Sequence, residues 1–509
     1  MHGRRRRRRR KRRRSEANQR TLDVEQDFGV WRNGRSVRCA SIAGTVLIMC
    51  TLIFSCAVGP DYRRPPIDAA AVFRGPDGGA QASFADLPWW EVFNDTRLKD
   101  LIKTALTNNY DLRATASRIE QARALAAQTR AQFFPQLGYD GEITRGKNSF
   151  FNRAAPSGGR ISDSALGLLS IAWELDLWGR IRRADEAARA QLFAAGEARR
   201  GVMLSLVSDV AQAYFELLGL DLQLEIAKRT TKSFDDTLRI FRERLEGGVA
   251  SKLETARAEA SLATAASSVP DLERVIVIKE NQINFLLSRD PGPIPRAAVL
   301  LDQRVPPDIP AGLPSILLER RPDVRQAEQE LVAANAQIGV AVADFFPKIG
   351  LTTFFGRASA ALSDFSSGKA NTWAIAGAVS GPIFQGGRLV GQYDQAEAQW
   401  QEAQLHYQQT ALNAFQEVSN ALTSRQKLEE IRIQQVRAVA ALIKAVQFST
   451  QRYVAGLSSY FEVLEAQQQL FPAENALAQT QLNQLLVVVQ LYKALGGSWN
   501  LADDKWTGP

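Results

Sequence analysis

Two long stretches of this chain repeat apolar residues at steps of three and four positions. They run from Gly179 to Gly247 and from Arg388 to Ala455, contain no proline, and are rich in Ala, Gln, Glu, Arg and Leu. These residue types favour helices, and the spacing places the apolar positions on one face. The pattern predicts two helical rods of about 65 residues, each roughly 100 Å long. Few soluble globular enzymes need such a rod.

Glycines follow both rods. Gly248 and Gly456 stand where a glycine in the left-handed conformation can end a helix. A returning helix is predicted after each of these glycines. Pro270 and Pro472 are expected to kink or break the returning helices, because proline removes a helical hydrogen bond.

Just before each rod the period of the pattern changes to two. Apolar residues alternate with small or polar ones in Ala165–Trp178 and in Asn371–Ile383, and strands are also predicted after Pro135 and Pro347. Each half of the chain therefore contributes one hairpin. Alternation of this kind is typical of a transmembrane β-barrel with a water-filled interior. The alternative is a pair of soluble hairpins packed on the helices.

The hairpins and rods belong to an internal duplication. The motif FFPQLG that starts at Phe133 recurs as FFPKIG from Phe345, and Gly179-Arg180 recurs as Gly387-Arg388. The offset is 212 residues for the first motif and 208 for the second, so a loop between strands is expected to absorb the difference. Two halves of about 210 residues therefore share one fold.

These elements predict a fold class that is mainly α with a small β part. The predicted organisation is an Arg-rich extension with a signal peptide (1–55), an extended N-terminal segment (56–100), a first repeat (101–300, with hairpin 136–178, rod 179–247 and returning helix 249–288), a Pro-rich linker (301–314), a second repeat (315–497, with hairpin 348–383, rod 388–455 and returning helix 457–495) and a tail (498–509).

The number of strands has a consequence for assembly. Two hairpins give four strands, whereas a barrel that encloses even side chains needs about eight. A structure that spans lipid can have no open edges, because an unpaired backbone group there costs several kcal/mol. If these strands lie in a membrane, several copies must pool them, and the protein is an obligate homo-oligomer.

Composition excludes several classes of function. The net charge is +9, but residues 1–55 carry +11, so the rest carries −2 and gives no support for a nucleic-acid partner. All three cysteines lie at or before position 56, which excludes disulfides, thiolate metal sites and a cysteine nucleophile beyond it. His406 is the one histidine beyond the leader, so histidine metal sites and catalytic triads are nearly excluded. No cofactor, metal or enzyme activity is expected.

The N-terminus has the order of a secretory signal. Arginines and one lysine fill positions 4–14, and an apolar run from Cys39 to Cys56 follows Arg38. The end of the run resembles a bacterial lipoprotein cleavage box, in which the cysteine becomes the acylated N-terminus. Cys56 is therefore predicted to be lipidated. The alternative is an uncleaved membrane anchor, although the run is at the lower limit for spanning a ~30 Å hydrocarbon core.

Several motifs occur along the chain beyond the leader, namely CAVGPDY from Cys56, WWEVFND from Trp89, the two FFP motifs, WELDLWGR from Trp173, GPIFQGGR from Gly381 and LYKALGG from Leu491. Together they resemble those of one family, the outer membrane factors of tripartite efflux systems, and among them the TolC-like lipoproteins of the NodT and OprM type. The resemblance implies a homotrimer with a twelve-stranded outer-membrane barrel, to which each protomer gives four strands, and an α-helical barrel across the periplasm. It also implies a periplasmic adaptor protein and an inner-membrane pump as partners, and export of drugs or other small molecules.

The resemblance also implies where such a duct closes. The stretch from Arg452 to Ala466 is similar to the segment that closes the tunnel at its periplasmic end. Tyr453 falls on the family's gating tyrosine, Glu462 and Glu465 fall on its paired acidic positions, and Arg452 is expected to help hold the helix ends together. Two carboxylates three positions apart share a helix face, so threefold symmetry would stack two acidic rings. The alternative is that both are solvated surface carboxylates.

The sequence therefore favours an exit duct for efflux in the outer membrane. The alternative is a lipid-anchored periplasmic adaptor or a structural coiled-coil tether, which would also have long helices and a lipid anchor. Adaptors carry lipoyl half-motifs beside one helical hairpin, and none is evident here. An enzyme has the least support, because no nucleophile–base set or carboxylate pair lies in a pocket-like context.

Overall fold

A computed structural model gives the fold of most of the chain beyond the leader. It describes residues 57–67, 86–93, 95–147, 161–249, 251–303, 314–360, 362–498, 500–502 and 505–506. The predicted signal peptide, the lipidation candidate Cys56 and most of the predicted linker 301–314 lie outside the described residues.

Helices make up most of the described chain. In chain order they are α1 (Trp89–Val92), α2 (Thr96–Asn108), α3 (Tyr110–Ala131), α4 (Arg180–Glu246), α5 (Lys252–Leu286), α6 (Pro314–Arg320), α7 (Pro322–Ala343), α8 (Arg388–Val454) and α9 (Tyr460–Ala494). α4 and α8 are the long rods, and each has 67 residues. α5 and α9 are the returning helices, and each has 35 residues.

The prolines do not break the returning helices. α5 continues through Pro270 and α9 continues through Pro472, so of the expected kink or break, the break is wrong at both residues. A proline inside a helix removes one hydrogen bond and clashes with the preceding turn, at a cost of about 3 kcal/mol. In a helix of this length the remaining bonds and the packed apolar face offset that cost.

Matching turns end α4 and α8, as the glycines predicted. Gly248 has a φ of +68° and Gly456 a φ of +73°. In each turn the glycine N–H bonds the carbonyl three residues back at 3.0 Å, and the next N–H bonds the carbonyl five residues back at 2.8 Å. This is the Schellman arrangement, which favours glycine because other residues adopt positive φ only at a cost of about 1–2 kcal/mol. The duplication therefore extends to the backbone hydrogen bonds of the two tips.

The strands form one antiparallel sheet in the order β1-β2-β3-β4. They are β1 (Gln136–Lys147), β2 (Ile161–Leu175), β3 (Lys348–Ser359) and β4 (Asn371–Ser380). β1 and β4 are the outer strands, and each has one side without a strand neighbour among the described residues. A strand side of this kind presents backbone groups that can pair with another chain.

The two faces of the sheet differ in polarity. The face with polar residues carries Asp140, Glu142 and Thr144 on β1 and small residues on β4. The other face exposes large apolar side chains, namely Leu137, Tyr139, Ile143, Leu169, Ile171, Trp173, Leu351, Phe355, Trp373, Ile375 and Val379. Soluble hairpins packed on helices would bury such a band, whereas the outer surface of a membrane barrel exposes it to lipid.

The chain divides into two compact units, one that contains the sheet and one that is helical. The main apolar cluster of the helical unit includes Trp89 and Tyr214, both fully buried. Trp89 Nε1 donates to the Trp506 carbonyl at 2.8 Å, and the Tyr214 hydroxyl donates to Asp95 at 3.2 Å. Burial raises the pKa of Tyr214 to about 12, so its hydroxyl stays protonated and keeps this bond. Both of these buried side chains thus have a hydrogen-bond partner.

α4 contains the one window, among the described residues, that is long and apolar enough to cross a membrane. Two thirds of that window (67%) is buried inside the protein. A core helix of a folded domain has the same composition, because it is apolar on more than one face.

A short N-terminal segment is held on the helical unit by one buried carboxylate. Arg64 makes a bidentate ion pair with Glu328, and the Tyr62 hydroxyl donates to the same carboxylate at 3.2 Å. The Glu328 side chain is only 12% exposed, whereas Arg64 is 44% exposed. Three hydrogen bonds to one carboxylate make this contact the anchor of the segment.

Glu328→Gln is therefore expected to loosen residues 61–67. The neutral amide loses the charge-assisted bonds to Arg64, at a cost of about 1–2 kcal/mol once solvent screening at the exposed arginine is allowed for. Tryptic cleavage after Arg63 should then rise by roughly five- to thirty-fold. Glu120→Gln, which removes an exposed ion pair with Arg123, is the control and should change nothing at Arg63. Equal cleavage in the two variants would contradict the anchor.

Candidate functional site

The candidate gate residues lie at the tip where α8 turns into α9. Arg452 and Tyr453 belong to the last turn of α8, and Glu462 and Glu465 to the first turns of α9. The structure brings two of them together, with Arg452 Nε 3.5 Å from Glu462 Oε2. Arg452 also donates to the Leu457 carbonyl at 3.3 Å. Both side chains of the ion pair are about half exposed, so solvent screens the attraction between them.

Glu465 takes no part in that ion pair. Its carboxylate accepts a hydrogen bond from Gln469 Nε2 at 3.3 Å, one turn further along α9. Glu462 and Glu465 are both exposed, whereas Val463 and Leu464 between them are buried. The two carboxylates therefore share the exposed face of α9 and leave its buried face to apolar residues.

Tyr453 packs into an aromatic cluster across the tip. Its ring centroid lies 5.4 Å from that of Phe241 on α4 and 6.2 Å from that of Tyr460 on α9, and Phe241 and Tyr460 are 4.1 Å apart. Burial raises the pKa of Tyr460 to about 12, and its buried hydroxyl has no hydrogen-bond partner among the described residues. Aromatic packing, more than hydrogen bonding, joins α4 to α9 here.

Arg244 joins the same cluster from the other half of the chain. Its guanidinium carbon lies 4.5 Å from the centroid of the Tyr453 ring, and Nη1 donates to the Tyr453 carbonyl at 3.4 Å. Burial raises the pKa of the Tyr453 hydroxyl, and the charge of Arg244 acts in the opposite direction. The contact ties the last turn of α4 to the last turn of α8.

Sequence reasoning did not assign Arg244, Phe241 or Tyr460 to this site. The signal for Arg244 was present, because the internal duplication aligns it with Arg452 at an offset of 208. The two arginines stand at the same position of matching turns, yet one contacts an aromatic ring and the other a carboxylate. Tyr453 explains the difference, because the equivalent position in the first half is Leu245.

The helix starts at the two tips also differ. Ser251 and Glu254 form a capping box at the start of α5, with reciprocal hydrogen bonds of 3.2 and 2.8 Å. Ser459 and Glu462 occupy the equivalent positions of α9, but the Ser459 side chain makes no capping bond. Glu462 contacts Arg452 instead. The second-half tip thus lacks a helix cap, which would stabilise α9 by about 0.5–2 kcal/mol, and has a contact between two helices instead.

A polar layer follows the aromatic cluster along the rods. Gln467 Nε2 donates to Ser233 Oγ and Thr237 Oγ1, each at 3.2 Å, and Arg229 pairs with Glu474 at 2.7 Å. These contacts join α4 to α9 beyond the tip. In the described part of the chain, no group of three or more His, Cys, Asp or Glu residues could hold a metal ion.

Comparison with known proteins identifies the family. A sequence model described as outer membrane efflux protein matches residues 101–289 and 313–497. The chain belongs to this family. The antibiotic efflux pump outer membrane protein ArpC of Pseudomonas putida is 34% identical over 457 residues, which cover 88% of this chain and 94% of ArpC. The cation efflux system protein CusC of Escherichia coli is 34% identical over 448 residues, which cover 87% of this chain and 96% of CusC.

A solved structure agrees with these relatives. The outer-membrane channel OprN superposes with a TM-score of 0.82 at 31% sequence identity, over 88% of this chain and 100% of that chain. The predicted fold class and the predicted resemblance to outer membrane factors are confirmed. The protein is an outer-membrane efflux channel, and the alternative of an adaptor or tether is not supported. The family is one of channels; the absence of catalysis in this chain stays a prediction.

Arg244→Gln is expected to loosen the second-half tip. It removes the cation from the Tyr453 ring, at a cost of about 0.5–1 kcal/mol. Amide hydrogen exchange across residues 453–462 should then accelerate by roughly two- to five-fold, since local opening becomes that much easier. Arg239→Gln is the matched control on the same helix, because Arg239 makes only an exposed ion pair with Glu243. If both variants exchange at the parent rate, Arg244 does not hold the tip.

Proposed function

We propose that this chain forms the exit duct of a tripartite efflux pump, as a homotrimer docked to a periplasmic adaptor protein and an inner-membrane transporter. Drugs or other small molecules pass through it from the periplasm to the exterior. The observation that carries the proposal is a four-stranded sheet with an apolar outer face and two open edges, in a chain of the outer membrane efflux family. Three copies pool twelve strands, more than the about eight that side chains alone can fill, which leaves room for a lumen.

The relatives support the partners and the class of cargo. ArpC is named as part of an antibiotic efflux pump and CusC as part of a cation efflux system. An outer-membrane component of a pump needs an energised partner in the inner membrane and a connection across the periplasm. Because the cargoes in the two names differ, the cargo class of this chain is small molecules, and the inner-membrane partner selects among them.

The second-half tip is the proposed periplasmic gate. Tyr453 joins the two rods of one copy through Phe241 and Arg244, and Arg452 binds Glu462 across the turn. Glu465 lies on the same exposed face as Glu462, so a ring of copies brings like charges together at the mouth. Crowded carboxylates at a narrow mouth attract cations.

The experiment for the gate is conductance of the purified protein in planar bilayers. The variant Glu462→Gln/Glu465→Gln should lower the cation-over-anion permeability ratio by at least roughly two-fold, because removing the carboxylates lowers the cation concentration at the mouth. Block by divalent cations from the periplasmic side should also weaken. Oligomer yield should stay the same.

The matched control carries the same change of charge elsewhere on the rods. Glu429→Gln/Glu430→Gln removes two exposed carboxylates of α8 that pair with Arg432 and Lys427. Its permeability ratio should equal that of the parent. Unchanged selectivity and unchanged divalent block in the tip variant would make Glu462 and Glu465 ordinary surface charges.

Cys56 is the proposed site of lipid attachment. The residues that follow it support this, because the Val58 N–H donates to the Trp178 carbonyl at 2.9 Å and Arg183 Nε donates to the Val58 carbonyl at 3.3 Å. These bonds hold the start of the described chain on the unit that contains the sheet. A lipid on Cys56 therefore inserts beside the membrane-spanning strands.

Mass spectrometry of the purified protein should find an acylated Cys56 at the N-terminus. Cys56→Ser should lower the amount in the outer-membrane fraction, because the lipid signal for sorting is lost, while the sheet still provides membrane attachment. Extracted Cys56→Ser protein should have the parent's oligomeric size. An intact leader, or cleavage elsewhere with a free Cys56 thiol, would contradict the proposal.

A further inference from the structure

We propose that the loop between β3 and β4, together with the adjacent end of the sheet, binds the phosphorylated headgroup of a lipid in the outer leaflet of the outer membrane. Arg357 and Lys369 are the residues that bind the phosphate. The inference goes beyond the export function proposed above, because it concerns the lipid around the channel and depends neither on the cargo nor on the partners in the pump.

The loop lies at the end of the sheet that is remote from the helices. α3 and α7 lead into β1 and β3, and β2 and β4 lead into α4 and α8. Because the strands are antiparallel, all four connections leave from one edge of the sheet, and both hairpin loops lie at the opposite edge. In an outer-membrane channel with its helices in the periplasm, the edge with the loops faces the exterior, where the outer leaflet lies.

The described residues of this loop, 362–370, fold onto the apolar face of the sheet. Arg357, near the end of β3, donates from Nη1 to the carbonyl of Phe365 at 3.2 Å and to that of Ser366 at 3.1 Å. A Cβ atom built on Gly167 of β2 would lie 3.1 Å from Cζ of the Phe365 ring, so the ring covers bare backbone there. Gly167 and Arg357 lie opposite each other, on the face that exposes the large apolar side chains.

An aromatic row indicates the depth of this contact in the membrane. Tyr139, Phe355 and Trp373 lie in one row of the apolar face, together with Leu169. Girdles of aromatic residues are typical of both interfaces of an outer-membrane barrel. Arg357 lies two residues beyond Phe355, in the next row toward the loops. A charge on the lipid face costs little near an interface and much more at the midplane, so this row belongs at the level of the lipid headgroups.

The equivalent arginine of the first hairpin is neutralised within the chain. The offsets of 212 for β1 to β3 and 208 for β2 to β4 make Arg145 equivalent to Arg357 and Asp163 equivalent to Asn371. Arg145 Nε lies 3.6 Å from Asp163 Oδ1. Asn371 lies opposite Arg357 but carries no charge. The second hairpin thus has the arginine without the carboxylate, and no ion pair of Arg357 is found in the described part of the chain.

The remaining donors of Arg357 match a phosphate group. A guanidinium has five N–H donors, and both carbonyl bonds come from Nη1. No bond within the described chain comes from Nε or Nη2, and a guanidinium edge of two such nitrogens binds a phosphate in a bidentate manner. Lys369, which is exposed in the same loop, adds a second positive charge. Asp364, also exposed, opposes them and leaves a net charge of +1 per copy.

The surface around these charges favours a lipid over a soluble phosphate. Leu362 at the start of the described loop is 52% exposed, and Phe355 is 64% exposed one row below Arg357. A soluble phosphate would contact only the cations. A lipid brings acyl chains to the apolar surface and a phosphate to the cations, so it is the occupant that matches both.

Lipid binding to the purified full-length protein tests the site. The probe is lipopolysaccharide, whose phosphates can be removed with a phosphatase, and bound lipid is counted by native mass spectrometry across a titration. The phosphorylated probe should bind at least about five-fold more tightly than the dephosphorylated one, because one basic residue near an anionic headgroup contributes about that factor. Excess inorganic phosphate should not displace it, because free phosphate has no acyl chains.

Charge variants test the role of the two cations. Arg357→Gln and Lys369→Gln should each weaken binding of the phosphorylated probe by about five-fold. Asp364→Asn removes the opposing carboxylate and should tighten binding by about two- to five-fold. Because this variant gains affinity, a misfolded protein cannot imitate the result. The control is Arg145→Gln/Asp163→Asn, which removes an ion pair of zero net charge from the first hairpin and should bind as the parent does.

A variant without a change of charge tests the role of the loop. Gly167→Ile introduces the residue found at the equivalent Ile375, and its side chain displaces the Phe365 ring from the sheet. Arg357 and Lys369 are then no longer held together. Lipid affinity should fall by at least about two-fold because a preorganised site is lost, while the oligomeric mass stays that of the parent.

Three results would overturn the site. The first is equal affinity for the phosphorylated and the dephosphorylated probe. The second is a loss in the control variant as large as that in Arg357→Gln, because binding would then follow the overall charge of the sheet edge. The third is displacement by inorganic phosphate, which would make a free anion the ligand in place of a lipid. None of these results changes the conductance expected of the channel, so the export function is tested separately.

Discussion

The membrane-inserted structure depends on how the backbone N–H and C=O groups at two strand edges are hydrogen-bonded. In the part of the chain that the structure describes, β1 and β4 each have one side without a strand neighbour, and the same sheet exposes an apolar face suited to lipid. Lipid cannot satisfy backbone N–H and C=O groups, so these edges must be paired by protein. One chain has too few strands to pair them with each other around a lumen. Assembly is therefore a condition for the membrane-inserted fold.

The internal duplication builds both halves of the chain from the same set of elements. Each half supplies a hairpin, a rod of 67 residues and a returning helix of 35 residues. The backbone turns at the rod tips are the same in both halves, whereas the side chains around them have diverged. Tyr453, which stands where the first half has Leu245, contacts Arg244. Glu462 pairs with Arg452 and forms no capping box at the start of α9. Divergence between the halves is thus found at the tip that is proposed as the gate.

The sequence predicted the elements well because their signals are local. Gly248 and Gly456 marked the rod ends, and the period of two marked the hairpins. The expected helix break at Pro270 and Pro472 was wrong, because packing along a long helix outweighs one lost bond. The partnership of Arg244 with Tyr453 was missed, since a contact between residues 209 positions apart leaves no trace in periodicity. The resemblance to the family indicated only the tip of the second half, and Arg244 lies in the first half.

The two charged contacts at that tip are weak enough to be reversed by a binding partner. The ion pair between Arg452 and Glu462 is half exposed, so it contributes about 0–1 kcal/mol. The stacking of Arg244 on Tyr453 contributes about 0.5–1 kcal/mol more. A shift from mostly closed to mostly open needs a difference of about 5.5 kcal/mol in binding free energy between the two states. For the proposed gate, a partner that binds the open tips of several copies at once would supply that difference from modest contacts on each.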